Sequence, residues 1–409
     1  MKYKLLSSLY YEDLGVHDKE FEKRINSAGT VLLPIKIHEN QSFILPDWEI
    51  ASLIESIGTN NATAQSIFTR LPGIAQRYYV TRCLIEEIQT TNEIEGVHST
   101  RKEIKNAIDA DEGNIKQKRF QGLAKKYVML LPWEKLDIPL ATCADIRMLY
   151  DNIVSEEIND GDKLDGEIFR KGTVFVVSKT QQKRHEGVMP ETKIIKEMEQ
   201  ALKLLEDKKL SVLVRIALFH YFFGYIHPFY DGNGRVSRFI SSTLLKKNHF
   251  PLLAFDLSHT IKENRNKYYE AFRICNNRLN KGDTTSFVIA FLELIHEASE
   301  RMRKYLDEGL RRLDRFSDFI DSRVHSEDKN REKKKTMLFF LIQKALFGYE
   351  PFNAEELQNE MACSRTSMEK IVKALIEDGY PVKKEKVGRY NQYSLDIELF
   401  ENMMEKSFE

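Results

Sequence analysis

The sequence predicts a mainly α-helical protein with a smaller α+β unit near its C-terminal end. Apolar residues recur with the 3.6-residue period of a helix through most of the chain, and short Gly, Pro or Asn breaks separate these stretches. Patterns typical of strands are confined to brief segments. The main periodic stretches are residues 74–94, 193–205, 211–226 and 284–324.

Length and charge bound the organisation of the chain. Its 409 residues are enough for two or three compact units, and three is our working number. The 62 Lys and Arg balance 62 Asp and Glu, so no global basic field attracts nucleic acid. Residues 1–15 carry charges between brief apolar pieces, which fits neither a signal peptide nor a membrane span. We therefore expect a cytoplasmic protein without membrane contact.

The cysteines indicate no metal or disulfide framework. Their positions match no CxxC or Cys/His ligand spacing. We expect reduced, mostly buried thiols. The four residues are Cys83, Cys143, Cys275 and Cys363.

The most informative stretch starts with an almost uniformly apolar helix over 211–226, which is typical of a helix at the centre of a core. Pro228 then disfavours helical geometry at His227, so the helix ends there. The polar segment that follows reads Phe229-Tyr230-Asp231-Gly232-Asn233-Gly234-Arg235. Apolar periodicity resumes after it, which predicts a polar loop between two buried helices.

This loop has the composition of an anion site. Gly232, Asn233 and Gly234 can adopt positive φ, so that backbone N–H groups converge. The next helix directs its positive N-terminus at the same place. Arg235 and Arg238 are expected in its first turn, where cations are disfavoured unless an anion is bound. The sequence therefore predicts a site for a phosphate chain.

Two further side chains complete the chemistry of the loop. Asp231 offers a carboxylate to Mg²⁺, which typically binds one or two carboxylates together with phosphates and waters. His227 offers a base that titrates near neutral pH. The alternative, a tight turn with a structural histidine and surface arginines, does not account for nine ordered positions after a buried helix.

The string from His227 to Arg238 resembles the signature of the Fic family, His-Pro-Phe-x-Asp/Glu-Gly-Asn-Gly/Lys-Arg-x-x-Arg, without departure. The resemblance implies a Fic helical core and a protein adenylyltransferase, which moves AMP from ATP onto a Ser, Thr or Tyr hydroxyl of a protein target or of itself. Gly234 matches the adenylylating members, since the kinase-like Doc branch has Lys there. The resemblance extends over about residues 45–298.

The resemblance also implies a role for each residue of the loop. His227 is expected to deprotonate the target hydroxyl, Asp231 to bind Mg²⁺, and Phe229 to anchor the loop in the core. The expected phosphate ligands are Gly232, Asn233 and Gly234 for the α- and β-phosphates, and Arg235 and Arg238 for the β- and γ-phosphates.

Two other segments resemble parts of Fic proteins. Residues 173–177 and 185–188 flank a polar turn at 178–184, as in a β-hairpin, and resemble the flap that holds a target segment by strand addition. A plain surface hairpin is the alternative. The flap residues are Val174, Phe175, Val176 and Val177. The residues that resemble the adenine pocket are Tyr268, Tyr269 and Asn276, although periodic aromatics are also typical of a core.

An inhibitory segment, called the brake below, is predicted at residues 91–96, before the loop in the sequence. A helix from about residue 74 ends before Gly96, which places Glu95 at the negative helix end, where a carboxylate needs a cation. The string Thr91-x-x-x-Glu95-Gly96 resembles the inhibitory Ser/Thr-x-x-x-Glu-Gly/Asn motif of Fic proteins. The resemblance implies that Glu95 pairs with Arg238 and keeps the γ-phosphate from its productive place. A capped helix end without further function is the alternative.

The C-terminal segment resembles a winged helix-turn-helix. Helices are predicted over 336–346, 354–361 with Asn353 as N-cap, and 365–378, followed by strands over 381–386 and 390–395. The recognition helix and wing would expose Arg365, Thr366, Ser367, Lys370, Lys383, Lys384, Lys386 and Arg389. These basic residues fit phosphates of DNA, and protein docking is the alternative.

Four segments follow as predicted domains. They are 1–115 as an N-terminal helical region with the inhibitory helix, 116–324 as the Fic catalytic core, 325–335 as a charged linker and 336–409 as the winged helix-turn-helix domain. A transcription regulator whose Fic core senses nucleotide stays open as an alternative function. So do UTP, GTP or a phosphocholine conjugate as donor, removal of AMP with Glu95 positioning a water, and a homodimer.

Overall fold

The computed structural model describes residues 3–109, 119–154, 158, 160–177, 183–323 and 330–406. Helices dominate these residues, so the predicted mainly α fold is confirmed. No helix in this part of the chain is both long and apolar enough to cross a membrane. The chain divides into two compact units, Met1–Asn61 with Leu84–Met302, and Ala62–Cys83 with Arg303–Glu409. The predicted domain boundaries stay predictions.

The helices and strands of the described residues follow in chain order. The helices are α1 (Leu6–Glu12), α2 (Leu14–Ile25), α3 (Trp48–Arg70), α4 (Gly73–Ile94), α5 (Arg101–Ile108), α6 (Gln121–Val128), α7 (Cys143–Ile153), α8 (Glu191–Leu204), α9 (Val212–Ile226), α10 (Asn233–Lys247), α11 (Leu257–Glu263), α12 (Arg265–Cys275), α13 (Thr285–Arg323), α14 (Arg331–Phe347), α15 (Ala354–Met361), α16 (Arg365–Glu377) and α17 (Ile397–Glu405). The strands are β1 (Val31–Ile37), β2 (Asn40–Ile44), β3 (Phe175–Val177), β4 (Lys183–Glu186), β5 (Phe352–Asn353), β6 (Val382–Val387) and β7 (Tyr390–Leu395).

Helix α9 lies at the centre of the first unit. Nearly all its side chains are buried, as its uniformly apolar sequence predicts. Helix α10 packs against it and is buried from Asn233 to Leu245. Aromatic rings fill the space beside α9: Tyr221 stacks on Phe272 with ring centroids 5.8 Å apart, and Phe272 meets Phe287 edge-on at 4.6 Å. The loop between α9 and α10 is therefore built on a closely packed support.

Two antiparallel hairpins belong to the same unit. Strands β3 and β4 pair Phe175 with Glu186 and Val176 with His185, in agreement with the predicted hairpin. The turn residues 178–182 lie outside the described residues. The hairpin of β1 and β2 was not predicted. Pro34 interrupts β1 in the sequence, and proline weakens a strand signal.

The N-terminal helices α1 and α2 lie in the predicted N-terminal helical region, although their bounds were not predicted, and an ion pair and hydrogen bonds fix this region to the rest of the first unit. Arg24 Nη1 donates to Asp283 Oδ2 at 3.1 Å, and the Tyr3 hydroxyl donates to the same oxygen at 2.6 Å. His17 Nε2 lies 2.8 Å from the Leu279 carbonyl. These contacts join residues far apart in the chain, which explains why local periodicity gave a weak signal.

The second unit contains the predicted helix-turn-helix segment. Strands β5, β7 and β6 form a three-stranded antiparallel sheet in that order, and α15 starts at Asn353, whose side chain accepts from the Glu356 N–H at 2.9 Å as an N-cap should. Residues 331–335, predicted as linker, are the first turns of α14, and 325–329 lie outside the described residues. Strand β5 and helix α17 were not predicted. The winged-helix assignment itself stays a prediction.

The cysteines, all among the described residues, form no disulfide bonds. Cys143 and Cys275 are buried, whereas Cys83 and Cys363 are half-buried. Burial raises the pKa of the Cys143 thiol to about 11 and that of Cys275 to about 12, so both are protonated at neutral pH. They act as small apolar packing groups.

Candidate active site

Helix α9 ends at His227, whose backbone is left-handed with φ 53° and ψ 63°. Its N–H still donates to the Phe223 carbonyl at 2.9 Å, which closes the last helical turn. Its own carbonyl accepts from Arg170 Nε at 2.9 Å. This conformation is unfavourable for a residue with a side chain, so the contacts around His227 must hold it.

The imidazole of His227 is neutral, with its hydrogen on Nδ1. Nδ1 lies 3.3 Å from the Gly224 carbonyl, and since a carbonyl can only accept, Nδ1 carries the hydrogen and Nε2 keeps its lone pair. Burial, with the nearby charge of His185, lowers the pKa of His227 to about 4. The expectation of titration near neutral pH is therefore wrong, because it took no account of burial.

The loop after His227 is closed by an aromatic ring and an amide. Phe229 is buried and stacks on Tyr150 with ring centroids 4.0 Å apart. Asn233 Oδ1 accepts from the Phe229 N–H at 3.0 Å, and Asn233 Nδ2 donates to the Phe229 carbonyl at 2.8 Å. The Asn233 side chain thus holds the loop together through both of its polar atoms. Backbone N–H groups of the loop are then the donors left for a phosphate.

Gly232 precedes α10 in a left-handed conformation with φ 79°. A Cβ there would lie 2.8 Å from Val154 Cγ1, so both backbone angle and space favour glycine. Asp231 Oδ1 accepts from the Gly232 N–H at 2.6 Å, while the Asp231 side chain is half exposed. Its Oδ2 lies 3.9 Å from Nη2 of the buried Arg235. One carboxylate therefore faces solvent beside a buried cation.

Arg238 lies in the second turn of α10, because that helix starts at Asn233, and its expected place in the first turn is wrong. Its side chain is 1% exposed. Nη2 donates to Glu95 Oε1 at 2.8 Å, Nε donates to Thr91 Oγ1 at 2.8 Å, and Nη2 also donates to the Thr91 carbonyl at 2.9 Å. The predicted pair of Glu95 and Arg238 is present, and Thr91 completes it.

The electrostatics keep this pair ionic. Burial alone would lower the pKa of Arg238, but Glu95 outweighs it together with the hydroxyls of Tyr268 and Tyr269, so the net shift is upward. A buried guanidinium that loses its partner costs several kcal/mol, on the order of 3–5. The resting protein therefore needs an anion at Arg238.

Glu95 also lies against the start of α10. A Cβ on Gly234 would come within 2.0 Å of Glu95 Oε1 and 2.8 Å of Arg238 Nη1. Only a glycine allows the carboxylate this close to the helix N-terminus, where the peptide dipoles favour negative charge. The anion position predicted from the loop is therefore filled by a carboxylate of the protein itself.

The end of α4 is built to present Glu95. Gly96 has φ 79°, its N–H donates to the Glu93 carbonyl at 3.1 Å, and the Val97 N–H donates to the Asn92 carbonyl at 2.9 Å. These two bonds form a Schellman motif with the predicted glycine at its left-handed position. Arg265 Nη2 donates to the free Ile94 carbonyl at 2.9 Å, so a cation meets the negative helix end.

Comparison with known proteins agrees with this geometry. Residues 141–245 match the family model described as Fic/DOC family. The chain contains a Fic domain. Proteins named "Protein adenylyltransferase Fic" from Drosophila yakuba and Drosophila melanogaster are 31% and 30% identical to it over 166 residues, which are 41% of this chain and 30% of each relative. The match thus spans less than a third of the length of these curated relatives.

A solved structure shares the fold. It is a Fic family protein from Desulfovibrio desulfuricans, with a TM-score of 0.50 and 20% sequence identity. The alignment covers 86% of this chain and 97% of that chain. The structural similarity therefore extends beyond residues 141–245. At 20% identity it shows a shared fold and nothing about activity.

Most of the residues predicted to line an adenine pocket form contacts within the protein core. The Tyr268 hydroxyl lies 2.7 Å from His220 Nε2, and its ring is 6% exposed. Asn276 Oδ1 accepts from the Tyr221 hydroxyl at 2.8 Å. Tyr269 is half-buried, with the Arg265 guanidinium 5.6 Å from its ring centre. Tyr269 has the most exposed ring of the set, and the pocket stays a prediction.

The predicted flap has an open edge. Within the described residues β3 pairs with β4 alone, so its other edge has no strand partner. Phe175 on β3 is 37% exposed, and Val174 and Val176 are half-buried. The side chain of Val177 lies outside the described set. At the base of the hairpin, the Val188 N–H donates to the Ile226 carbonyl at 3.0 Å, which joins β4 to the end of α9.

Two buried charged residues near the site were not predicted. Glu87 on α4 is fully buried and accepts from the Ser258 N–H at 2.9 Å, and burial raises its pKa to about 7. A signal existed, since Glu87, Thr91 and Glu95 recur every fourth residue and share one helix face. Arg170 is fully buried too, but a single arginine in a loop segment gives no such signal.

Substitution of Gly234 by alanine tests the position of Glu95. The added methyl group needs the space held by Glu95 Oε1 and Arg238 Nη1, so the pair must separate. We expect Gly234→Ala to lower the free energy of unfolding by about 1–3 kcal/mol, measured by urea denaturation.

Gly58→Ala is the matched control, because a Cβ on Gly58 in α3 meets no atom within 4 Å. It should be neutral or slightly stabilising. In a Glu95→Gly background the cost of Gly234→Ala should largely disappear. An equal cost in both backgrounds would contradict the described contact.

Proposed function

We propose that this chain is a protein adenylyltransferase, which moves AMP from ATP to a Ser, Thr or Tyr hydroxyl of a protein, and that Glu95 inhibits it in the resting state. The observation that carries the proposal is the meeting of a neutral His227, a glycine loop and the buried Arg238 where α9 passes into α10. The Fic domain, and the relatives named as adenylyltransferases, support the reaction type.

The proposed reaction is an in-line displacement at the α-phosphorus. The target hydroxyl oxygen attacks this phosphorus while its proton passes to His227 Nε2. The bond from the α-phosphorus to the bridging oxygen of the β-phosphate breaks, and pyrophosphate leaves. The products are a phosphodiester of AMP with the protein and a protonated imidazole, which returns its proton to solvent. The lowered pKa of His227 fits a base that is ready at neutral pH.

The phosphates of ATP fit the start of α10. Backbone N–H groups at the helix N-terminus and the buried guanidiniums of Arg235 and Arg238 offer donors of the right charge. The half-exposed carboxylate of Asp231 would hold Mg²⁺, which supplies charge neutralisation on the phosphates when bound. A single carboxylate beside phosphates suits this ion.

The brake follows from competition for one cation. Arg238 Nη2 donates to Glu95 Oε1 and to the Thr91 carbonyl. A γ-phosphate therefore has to displace the Glu95 carboxylate, whose Oε1 lies 2.8 Å from Nη2. ATP that binds without this cation leaves its α-phosphorus poorly aligned with the target hydroxyl. Low resting activity follows.

DNA contact by the second unit is the alternative partner. Lys383, Lys384, Lys386 and Arg389 are exposed on the predicted wing. Part of this charge is neutralised within the protein, because Lys383 pairs with Asp396 at 2.7 Å and Lys384 lies 3.5 Å from Glu369. The observed pairs favour the enzyme reading over a regulator held on DNA.

Labelling with α-labelled ATP and Mg²⁺ tests the function in the full chain and in cell lysate. Glu95→Gly should raise labelling of the chain or of a target by at least about tenfold, because Arg238 becomes available to phosphate. His227→Ala in the same background should abolish labelling while ATP binding by calorimetry persists, since the base contributes about 10²–10⁴-fold. Adding Arg238→Ala should also remove the gain.

Glu93→Gly is the matched control for this experiment. Glu93 lies at the same helix end but pairs with Lys262. It should leave labelling close to that of the natural chain. Labelling of Glu95→Gly no higher than the natural chain, with a competent target present, would contradict the brake. Full labelling by His227→Ala would remove His227 from the mechanism.

The fall of kcat/KM at acidic pH tests the environment of His227. A base must be unprotonated, and a pKa lowered to about 4 keeps it so down to about pH 5. In the Glu95→Gly variant, which also lacks a carboxylate that raises this pKa, kcat/KM should therefore stay level from pH 7 to about 5 and fall at lower pH, with a midpoint at or below about 4. Circular dichroism at each pH controls for acid unfolding. A midpoint near 6.5 would show that the imidazole is solvated.

Salt dependence separates DNA contact from protein docking. If the wing holds DNA phosphates, the full chain should bind a duplex with an affinity that falls steeply with salt. Lys386→Glu with Arg389→Glu should reduce the slope of log K against log salt by about two. The double variant Arg315→Glu with Lys406→Glu makes the same charge change on α13 and after α17, away from the predicted recognition helix and wing, and should keep the slope. Absence of binding at low salt would favour protein docking.

A further inference from the structure

A fully buried arginine outside the signature loop, Arg170, connects the flap to the end of α9. We propose that Arg170 is a positioning residue, which sets the imidazole of His227 against the hydroxyl that the flap presents. The proposal rests on the proposed role of His227 as base. It concerns the segment just before β3, which the phosphate-binding loop does not include.

The guanidinium of Arg170 bonds to backbone carbonyls of three segments. Nε donates to His227 at 2.9 Å, and Nη2 donates to Ile226 at 3.4 Å, both at the end of α9. Nη2 also donates to Val188 at 2.8 Å, just after β4, and Nη1 donates to Gly172 at 2.5 Å, just before β3. A planar group with fixed donor directions holds these carbonyls in one geometry.

Backbone bonds strengthen the same connection. The Arg170 N–H donates to the Pro228 carbonyl at 3.2 Å, and the Gly187 N–H donates to the Val174 carbonyl at 3.0 Å. A Cβ on Gly187 would lie 2.4 Å from Arg170 Nη2 and 3.1 Å from His227 Cβ. The hairpin base, the guanidinium and the histidine therefore pack in direct contact, and a shift of one moves the others.

The left-handed backbone of His227 depends on this connection. Such a conformation is strained for a residue with a side chain and persists only where its surroundings fix it. The Arg170 bond to the His227 carbonyl is one of the contacts that fixes it. Because Arg170 also bonds on both sides of the hairpin, the strand that receives the target and the base that takes its proton share one support.

The charge of Arg170 acts on the same imidazole. The charged groups around His227 are Arg170 before β3, His185 on β4 and Glu95 after α4. Burial is the main reason for the lowered pKa of His227, the charges of His185 and Arg170 add to it, and Glu95 opposes it. Arg170 donates only to backbone carbonyls in the described contacts, and Asp165 and Tyr230 offset part of its charge from outside hydrogen-bonding distance.

Two substitutions separate geometry from charge, and both are made in the full chain. Arg170→Met removes donors and charge at similar length, and Arg170→Lys keeps the charge without the planar fork. Arg147→Met is the matched control, because Arg147 on α7 donates to a single carbonyl, that of Ile168, and is partly exposed. The titration of His227 is followed by NMR of ¹³Cε1-labelled histidine, assigned with His227→Gln.

We expect three results in the Glu95→Gly background. Arg170→Met raises the midpoint of the His227 titration and lowers the rate of self-labelling with α-labelled ATP by about 10²-fold, the scale of a 1 Å misplacement. Arg170→Lys keeps the titration near its original midpoint but still lowers the rate. The Kd for ATP, measured by calorimetry, stays within about twofold in both, since the phosphate ligands on α10 are unchanged.

Several outcomes would overturn the proposal. A folded Arg170→Met chain with the original His227 titration and labelling rate shows that Arg170 does not position the base. Failure of both variants to fold, judged by circular dichroism and thermal unfolding, makes Arg170 a purely structural residue. The NMR titration of His227 requires no transfer activity, so it tests the role of Arg170 even if the chain transfers no AMP. The proposed function itself is tested separately, by the labelling of His227→Ala.

Discussion

The charge of one buried arginine organises this site. Arg238 is 1% exposed, and a guanidinium in that position must be paired and hydrogen-bonded. Thr91 and Glu95 provide the acceptors from the end of α4. Their approach fixes where α4 must stop, which the left-handed Gly96 achieves, and requires that Gly234 carry no side chain. The helix end, the glycine loop and the buried cation therefore depend on each other.

The same pairing makes the site suited to two states. A carboxylate and a phosphate are both anions that satisfy Arg238 and the positive end of α10. The protein-borne carboxylate is present at high effective concentration, because the chain itself holds Glu95 in place. In the proposed function, ATP must bring enough additional binding, through its other phosphates, to exchange one anion for the other. The proposed inhibition then arises from charge neutralisation at a single guanidinium and needs no large rearrangement.

Two of the buried arginines of the Fic domain, Arg170 and Arg238, serve different purposes. Arg238 faces a carboxylate, so its partner can be exchanged for another anion. Arg170 faces only backbone carbonyls, which are part of the fold and cannot leave. The first is thus suited to a ligand, and the second to a fixed geometry around His227. Burial lowers the pKa of that histidine to about 4 and so keeps it neutral, which suits its proposed role as base.

The sequence by itself determined the elements whose signals are local. Signals within a few residues of each other predict the apolar helix before Pro228, Gly232, Gly96 after α4 and the N-cap at Asn353, and the structure places these as predicted. Asn233 and Gly234 were expected in the loop with positive φ, but both belong to α10 and neither has a positive φ. Tertiary structure decided the rest. Arg170 meets a carbonyl 57 positions away, and Arg238 meets a carboxylate 143 positions away. Burial and the exact set of neighbouring charges, which set the pKa of a base, exist only once distant segments have packed together.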